Sequence, residues 1–442
     1  MRPLGEWLPD LKTSIPGPAS TRLAETLSEV ECPALTARRA RRAEKSGAAQ
    51  DPISYKGARG ANVIDADGNV FVDMTGGFGV AAMGHGEADI VDAVREQSQR
   101  LMHALGDVYP SQAKVQLLER LAGLAPWPAR VILGLSGADA VEAALKTAAL
   151  HTGRPGVVAF TGGYHGLSHG PLAACGYQES FRAPFQSQLN PHVMFAPYPG
   201  RDTSLDAAMA GLEVALDTLD DLVGAVLLEP LQARGGVHVP PRGFVKAAGE
   251  LARERGALLI VDEIYTGLGR CGEVWLHTTD GAEADLICAG KALGGGVPIS
   301  ACLGREEVMR AWGDPEGEAL HTSTFLGNPL SCSAALAFLK VMQREMLPAL
   351  AETTGATLRR CLRQVTDKHG GHVRGAGLLL GYAPKNAEHV LPLMRALLER
   401  GYLVLPAGSP PEVVCLTPPA CLSREQMDAF VNALDESLGA LS

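Results

Sequence analysis

The middle of the chain alternates short apolar runs with stretches of helical spacing. Val131–Leu135, Gly156–Phe160, Val223–Leu228 and Ala257–Val261 are compact apolar runs rich in branched residues. Ala138–His151 and Phe244–Arg255, lying between them, repeat apolar residues at three- and four-residue intervals. Such runs predict strands buried on both faces, and strands alternating with helices predict a parallel, doubly wound sheet. Upstream, Ala88–Leu105 and Ala113–Leu124 also have helical spacing. After Pro329 the pattern is helical to about Gln364. Strand-like stretches at His372–Gly381 and Tyr402–Leu405 follow, with a helix at Leu391–Glu399 between them. A last helix is predicted over Arg424–Leu438, opened by Ser423 with Gln426 in the capping-box position.

The first 50 residues hold five prolines and read as an irregular arm with one short helix around Arg22–Val30, suited to a subunit contact. At 442 residues the chain exceeds the size at which single cores stop growing. Three segments are predicted: 1–84 as the arm and part of a small domain, 85–335 as a large domain, and 336–442 as the rest of the small, α+β domain.

Composition narrows the function. A net charge of −10 leaves no basic footprint for nucleic acid, and the one basic run, Arg38–Arg42, reads as a solvated helix face. Nine scattered cysteines form neither a disulfide framework nor a metal-ligand spacing, so no metal site is expected. No leader or membrane-length apolar stretch is visible, so no membrane partner is expected and a cytoplasmic location is.

The candidate chemistry gathers at run ends. Asp262 and Glu263 follow the run Ala257–Val261, where ligands bind in open α/β sheets. Twenty-nine residues after Asp262, Lys291 stands between an apolar run and a glycine cluster. Desolvation lowers a lysine pKa, as a nucleophilic lysine needs. Ser136-Gly137-Ala138 joins a strand to a helix, a natural phosphate site. Each of these residues also has a plainer reading. Lys291 suits a surface junction, Asp262 a solvated loop cap, Ser136 an ordinary N-cap, Tyr164 a core position, and Arg374, before Gly-x-Gly, a turn.

Together the motifs resemble the class III (subgroup II) aminotransferases, of the 4-aminobutyrate and ornithine type. They are Gly68–Asp73, Gly84-His85-Gly86, Ser136–Ala144, Gly163-Tyr164-His165-Gly166, Glu229–Gln232 with Gly235-Gly236, the Asp262 and Lys291 segments, His321–Pro329, and Arg374–Leu378, in family order from about residue 55 onward. The resemblance implies the aspartate aminotransferase-like fold type I, an α/β fold whose large domain holds a mostly parallel doubly wound sheet beside a smaller α+β domain. It implies pyridoxal 5'-phosphate (PLP) as cofactor and a homodimer with shared active sites. It also implies transfer of an amino group from an amino acid, an ω-amino acid among the candidates, to a 2-oxo acid such as 2-oxoglutarate or pyruvate by a ping-pong mechanism.

By the same resemblance Lys291 holds PLP covalently and moves the proton, and Asp262 pairs with the pyridinium nitrogen. Ser136, Gly137 and Ala138 hold the phosphate, helped by Thr324 from the other subunit. Tyr164 stacks on the ring, and His165, Glu229 and Gln232 complete the cofactor site. Arg374 binds the substrate α-carboxylate.

Three departures matter. The glutamate that pairs with the carboxylate-binding arginine in ω-amino acid enzymes is replaced by Arg234, which leaves Arg374 without its glutamate and either stays in solvent or offers a second positive charge to substrate. Tyr265 stands near the place of a glutamine that bonds the PLP 3-hydroxyl. Asp139 replaces a glutamate, and the Ser-Gly-x-Asp form also resembles racemases and epimerases of this fold, so that alternative reaction stays open.

Overall fold

The computed structural model describes residues 3–47, 53–200, 202–313 and 319–441. Of the arm, residues 1, 2 and 48–50 lie outside the described residues. The chain divides into two compact units, Met1–Glu87 with Leu350–Ser442, and Ala88–Ala349.

The second unit is built on a seven-stranded sheet. Its strands run in the order Ala129–Gly134, Ser300–Arg305, Leu286–Ala289, Leu258–Asp262, Val223–Leu228, Gly156–Phe160, Val193–Ala196. Ser300–Arg305 is antiparallel to both of its neighbours, and the strands from Leu286–Ala289 to Val193–Ala196 pair in parallel. The doubly wound expectation is met, and alternation of side chains explains it. Ala225, Leu227, Ile260, Cys288 and Cys302 join one cluster with Ala140, Ala143, Ala144 and Ala148 of helix Gly137–Thr152. Residues of the other parity face the opposite layer. There Phe160 meets Phe244 edge-on at 5.5 Å, and Gly249 lies so close to Leu259 that a Cβ would come within 2.8 Å of it. Both faces are covered, so the strands read as continuous apolar runs.

Helix Pro329–Arg344 packs on helices Ala88–Arg100 and Gln112–Ala122 and so belongs to this unit, although a boundary at 335 would cut through it. The helix beginning at Ala88 stops at Arg100, short of Leu105. Beyond it, side chains from other helices and their caps claim the backbone: Asn328 donates to the Met102 carbonyl and Lys114 to that of Gly106.

The first unit holds two four-stranded sheets. One pairs Tyr55–Arg59, Asn62–Asp65, Val70–Asp73 and Tyr402–Leu403, the other His372–Ala376, Leu379–Ala383, Val413–Leu416 and Leu405–Ala407. Helices Val390–Glu399 and Arg424–Leu441 share its core, with Leu380, Tyr382, Leu393, Leu397 and Phe430 fully buried. The capping box at Ser423 forms in both directions. The stretch 372–381 is a hairpin rather than one strand, because Gly377 turns it at positive φ. The single helix expected after Pro329 breaks at Met346, φ 48°, into Pro329–Arg344 and Leu347–His369. The arm is less irregular than its prolines suggest. Besides Pro18–Val30 it forms Pro33–Lys45, whose mostly exposed face carries the basic run. Proline in the first turn loses no helical hydrogen bond, so Pro33 starts that helix instead of breaking it.

Candidate active site

Four separate motifs meet at the carboxyl ends of the parallel strands. Leu258–Asp262 ends in Asp262, which is 4% exposed. One of its oxygens lies 2.8 Å from His165 Nδ1, and the other accepts the Ile264 amide at 3.1 Å. Ile264 in turn packs on Gly137, where a Cβ would come within 2.9 Å of it. Gly166, φ 116°, lies so close to Ala138 that a Cβ would come within 2.7 Å. The glycines of Ser-Gly-Ala and Tyr-His-Gly are therefore places of close approach, where a side chain would push the motifs apart.

Helix Gly137–Thr152 is capped at both ends. Ser136 accepts the Asp139 amide, and Asp139 accepts the amides of Leu135 and Ser136. The shorter acid at 139 thus closes the capping box without trouble. The Gly137 and Ala138 amides keep no partner among the described residues, and they sit at the positive end of a 16-residue helix. That is a cradle for an anion.

Lys291 follows strand Leu286–Ala289 with φ 41°, a conformation that costs a residue with a Cβ about 1–2 kcal/mol. Such strain persists where the surroundings enforce it, and it clusters at functional sites. Its Nζ lies 4.1 Å from the centre of the Tyr265 ring. Burial pushes the Lys291 amine down to about 8; Arg234 pushes the same way, and Asp262 and Glu229 oppose it.

Glu229 organises the wall of the site. Its two oxygens accept the amides of Tyr164, 2.9 Å, and Ala233, 3.2 Å. Burial raises its carboxyl to about 7, with Asp262 adding to the rise while His165 and the two amides lower it. Gln232 donates its side-chain amide to the Thr161 carbonyl at 2.8 Å. Glu229 and Gln232, both expected among the cofactor-binding residues, spend these polar atoms on holding the loops that present Tyr164 and Arg234. The Arg234 guanidinium lies 4.2 Å from the Tyr164 ring centre and 5.1 Å from that of Tyr177.

The family model for "Aminotransferase class-III" matches residues 44–438. The chain belongs to the class III aminotransferases. It is 39% identical over 383 residues to an acetylornithine aminotransferase from Mycolicibacterium smegmatis, covering 87% of this chain and 93% of the relative. It is 35% identical over 390 residues to one from Methanopyrus kandleri, covering 88% and 95%. Among solved structures it resembles the ornithine aminotransferase of Toxoplasma gondii, with a TM-score of 0.82, 28% identity, and coverage of 95% and 94%. It also resembles a PLP-bound amine transaminase from an uncultivated Pseudomonas species, with a TM-score of 0.81, 27% identity, and coverage of 89% and 96%. The fold is type I, and the racemase alternative finds no support among these relatives.

The class III aminotransferase uses PLP, and the residues present fit it. The anion cradle at Gly137 and Ala138, the buried Asp262, and the lowered Lys291 amine are of the kind that its phosphate, ring nitrogen and aldehyde would need. His165 Nε2 is a further fit: it is buried and bonds to nothing among the described residues. Thr324, by contrast, is exposed on the segment after His321.

Arg374 calls for a correction. It was expected to face no glutamate, yet its Nη2 lies 2.6 Å from Glu412 Oε1, with both side chains about one-seventh exposed. A second group missed from sequence is His277. It gives both its amide and Nδ1 to Glu263, at 2.8 and 2.9 Å, so the acid beside Asp262 is tied down in the interior. Tyr177, the second ring against Arg234, was also missed. Nothing in the spacing marks any of the three, because each pairing depends on how distant segments meet.

Proposed function

We propose that this aminotransferase moves the amino group of an amino acid to a 2-oxo acid in two half-reactions, with Lys291 as the amine that holds PLP and shuttles the proton. The observation that carries the assignment is Lys291 itself, strained at positive φ and brought down to about 8. PLP, when bound, supplies an electron sink that lets the substrate carbon give up its proton. Lys291 Nζ, largely neutral above about pH 8, takes that proton and returns it. Asp262, fixed by His165 and the Ile264 amide, keeps the ring nitrogen protonated. Gly137 and Ala138 hold the phosphate with their amides, and Tyr164 covers the ring. The acetylornithine aminotransferase relatives favour a donor whose reacting amine lies at the end of an amino-acid side chain. Arg374 and Arg234 are the two candidate anchors for a substrate carboxylate.

The working unit in this reading is a homodimer. Leu101, Met102, Leu105, Val108 and Tyr109 are exposed, and so are Leu320 and Phe325. The two stretches touch, His103 against Phe325 at 5.4 Å, and form an apolar face that a second copy would cover. Thr324 lies on the same segment and would reach the partner's phosphate. Nine cysteines, seven of them buried, suit a reducing, cytoplasmic setting. No described helix is long and apolar enough to cross a membrane.

Borohydride reduction of the PLP-loaded protein should fix the cofactor to the peptide containing Lys291, and Lys291→Ala should lose turnover by about a thousandfold or more. A label on another lysine sinks the assignment. Light scattering at micromolar concentration should give a dimer; a fully active monomer would refute the shared site.

A further inference from the structure

The turn after Asp262 is anchored by a buried acid that the chemistry proposed above does not use. Glu263, Thr266 and His277 are each 1% exposed. Glu263 Oε1 accepts the His277 amide at 2.8 Å and lies 2.9 Å from His277 Nδ1, while Oε2 accepts the Thr266 hydroxyl. The Glu263 amide donates to the Cys288 carbonyl at 2.9 Å, on the strand that leads to Lys291. Its carbonyl accepts the Gly267 amide at 2.9 Å, so close that a Cβ at Gly267 would come within 2.8 Å of that oxygen. Farther on, Leu268 turns left-handed at φ 55°, and Trp275 Nε1 donates to the Leu124 carbonyl at 2.8 Å. One carboxylate therefore gathers the end of strand Leu258–Asp262, the turn that follows it and the returning stretch at His277 into a single buried network.

What this turn presents is Tyr265. The half-buried ring of Tyr265 has its centre 4.1 Å from Lys291 Nζ. The residues just before the two are also in contact, since a Cβ at Gly290 would come within 3.4 Å of Ile264. The face of an aromatic ring carries negative charge density and attracts an ammonium, the more so where little water lies between them. From the other elements around this amine, Asp262 and Glu229 favour the ammonium, and burial and Arg234 oppose it. A ring face differs in kind from those carboxylates. It steadies a cation without accepting its proton, so Nζ keeps its protons for transfer.

We propose that Tyr265, fixed by the buried network of Glu263, Thr266 and His277, is a positioning residue whose ring face holds the Lys291 amine as a cation. This rests on the reading of Lys291 as the cofactor lysine. The ring carries the role, not the hydroxyl, so it is distinct from the hydrogen bond made by the glutamine that the family has near this place. Once Nζ has taken the substrate proton it is an ammonium, and the ring steadies it until the proton is returned.

The test reads the amine directly in the PLP-free protein, by the pH dependence of Lys291 acylation with acetic anhydride followed by peptide mass. Only the neutral amine reacts, so the midpoint reports its titration. Tyr265→Leu removes the face and should move that midpoint down by roughly half to one and a half pH units. Tyr265→Phe keeps the face and should leave it near the parent's. An unmoved midpoint in Tyr265→Leu overturns the proposal, as does an upward move, which would make the ring no more than an apolar cover. Equal shifts in the Phe and Leu variants overturn it too, because the hydroxyl would then be the active part. Should Tyr265→Leu not fold, Tyr265→Gln decides by the same criterion. The network is tested by Glu263→Gln, which should also lower the midpoint, yet add nothing to Tyr265→Leu in the double variant. Additive shifts would mean that Glu263 acts by its own charge, and would overturn its positioning role. Should Glu263→Gln not fold, Thr266→Val takes its place, with a smaller shift that must likewise vanish beside Tyr265→Leu. If borohydride fails to label Lys291 in the loaded parent, the cofactor-lysine reading has failed, which is a separate result from the midpoints measured without PLP.

Discussion

The hairpin that carries Arg234 and the strand pair that carries Arg374 hold the same guanidinium by opposite means. In the first unit, strand His372–Ala376 sends Arg374 to Glu412, and the charge is cancelled where it stands. In the second, the turn between Gln232 and His238 sets Arg234 on two tyrosine faces and leaves its charge uncancelled. Surrounding geometry differs in the same sense. Around Arg374 the backbone forms a regular antiparallel ladder with strand Leu379–Ala383. Around Arg234 and Lys291 there are non-glycine residues at positive φ, Val237 and Lys291 themselves, and a buried carboxylate raised to about 7. The first arrangement satisfies a charge locally, while the second keeps charge and backbone strain in reserve, as sites that bind ligands often do.

Glu229 offers the sharpest way to break that contrast, because it supports only one side of it. Glu229→Gln preserves shape but faces two backbone amides with only one acceptor atom, so one buried N–H loses its partner. The expected cost is about 1–3 kcal/mol at acidic pH, where the parent carboxyl is neutral. The pH dependence carries the signature. The folded carboxyl titrates near 7 against an unfolded value of 4.5, so the fold binds this proton more tightly than the unfolded chain does. Its favourable contribution is complete below about 4.5 and is lost as pH rises through about 7, a change on the order of 3 kcal/mol. The parent should therefore lose stability across that window relative to the Gln variant, whose amide does not titrate. Urea melts of both proteins at pH 4.5, 6 and 8 measure the difference. Parallel stability curves would show that Glu229 is not the buried, high-pKa carboxyl described here. KM for the 2-oxo acid should also rise in the variant, since the amides of Tyr164 and Ala233 no longer share one anchor.

Much of the second unit can be read from the chain because its signals are local. A buried parallel strand is apolar throughout, and its acid-bearing carboxyl end follows directly. Asp262 and Ser136 stand within two residues of a strand that the pattern predicts, and Lys291 follows an apolar run that the structure shows to be a strand. Gly137 and Gly166 can be found as motif glycines, though only the structure shows that they meet Ile264 and Ala138. What resisted reading depends on register and long-range encounter. Arg374 and Glu412 are 38 residues apart, joined only because Leu379–Ala383 pairs with both His372–Ala376 and Val413–Leu416. His277 reaches Glu263 across the turns that follow strand Leu258–Asp262. The helix after Pro329 is continuous in pattern and broken in space, because one residue, Met346, goes left-handed.

The smaller effect, and the one that tests the other half of the comparison, is at Glu412. Glu412→Gln keeps a hydrogen-bond acceptor near Arg374 but removes its counter-charge. Both side chains are about one-seventh exposed, so solvent replaces part of the lost interaction and the cost should be about 1–2 kcal/mol, below that of stripping a partner from a fully buried pair. For a structural pair, that loss appears as a lower urea midpoint with KM for the 2-oxo acid and for the amino donor unchanged. A pair that opened to admit substrate would behave differently. Removing its carboxylate would free Arg374, lower KM for the 2-oxo acid and spare the donor, a change in ratio that no purely structural contact produces. Measuring both half-reactions beside the urea midpoint therefore separates the two accounts, and a changed ratio would show that Glu412 competes with substrate for Arg374.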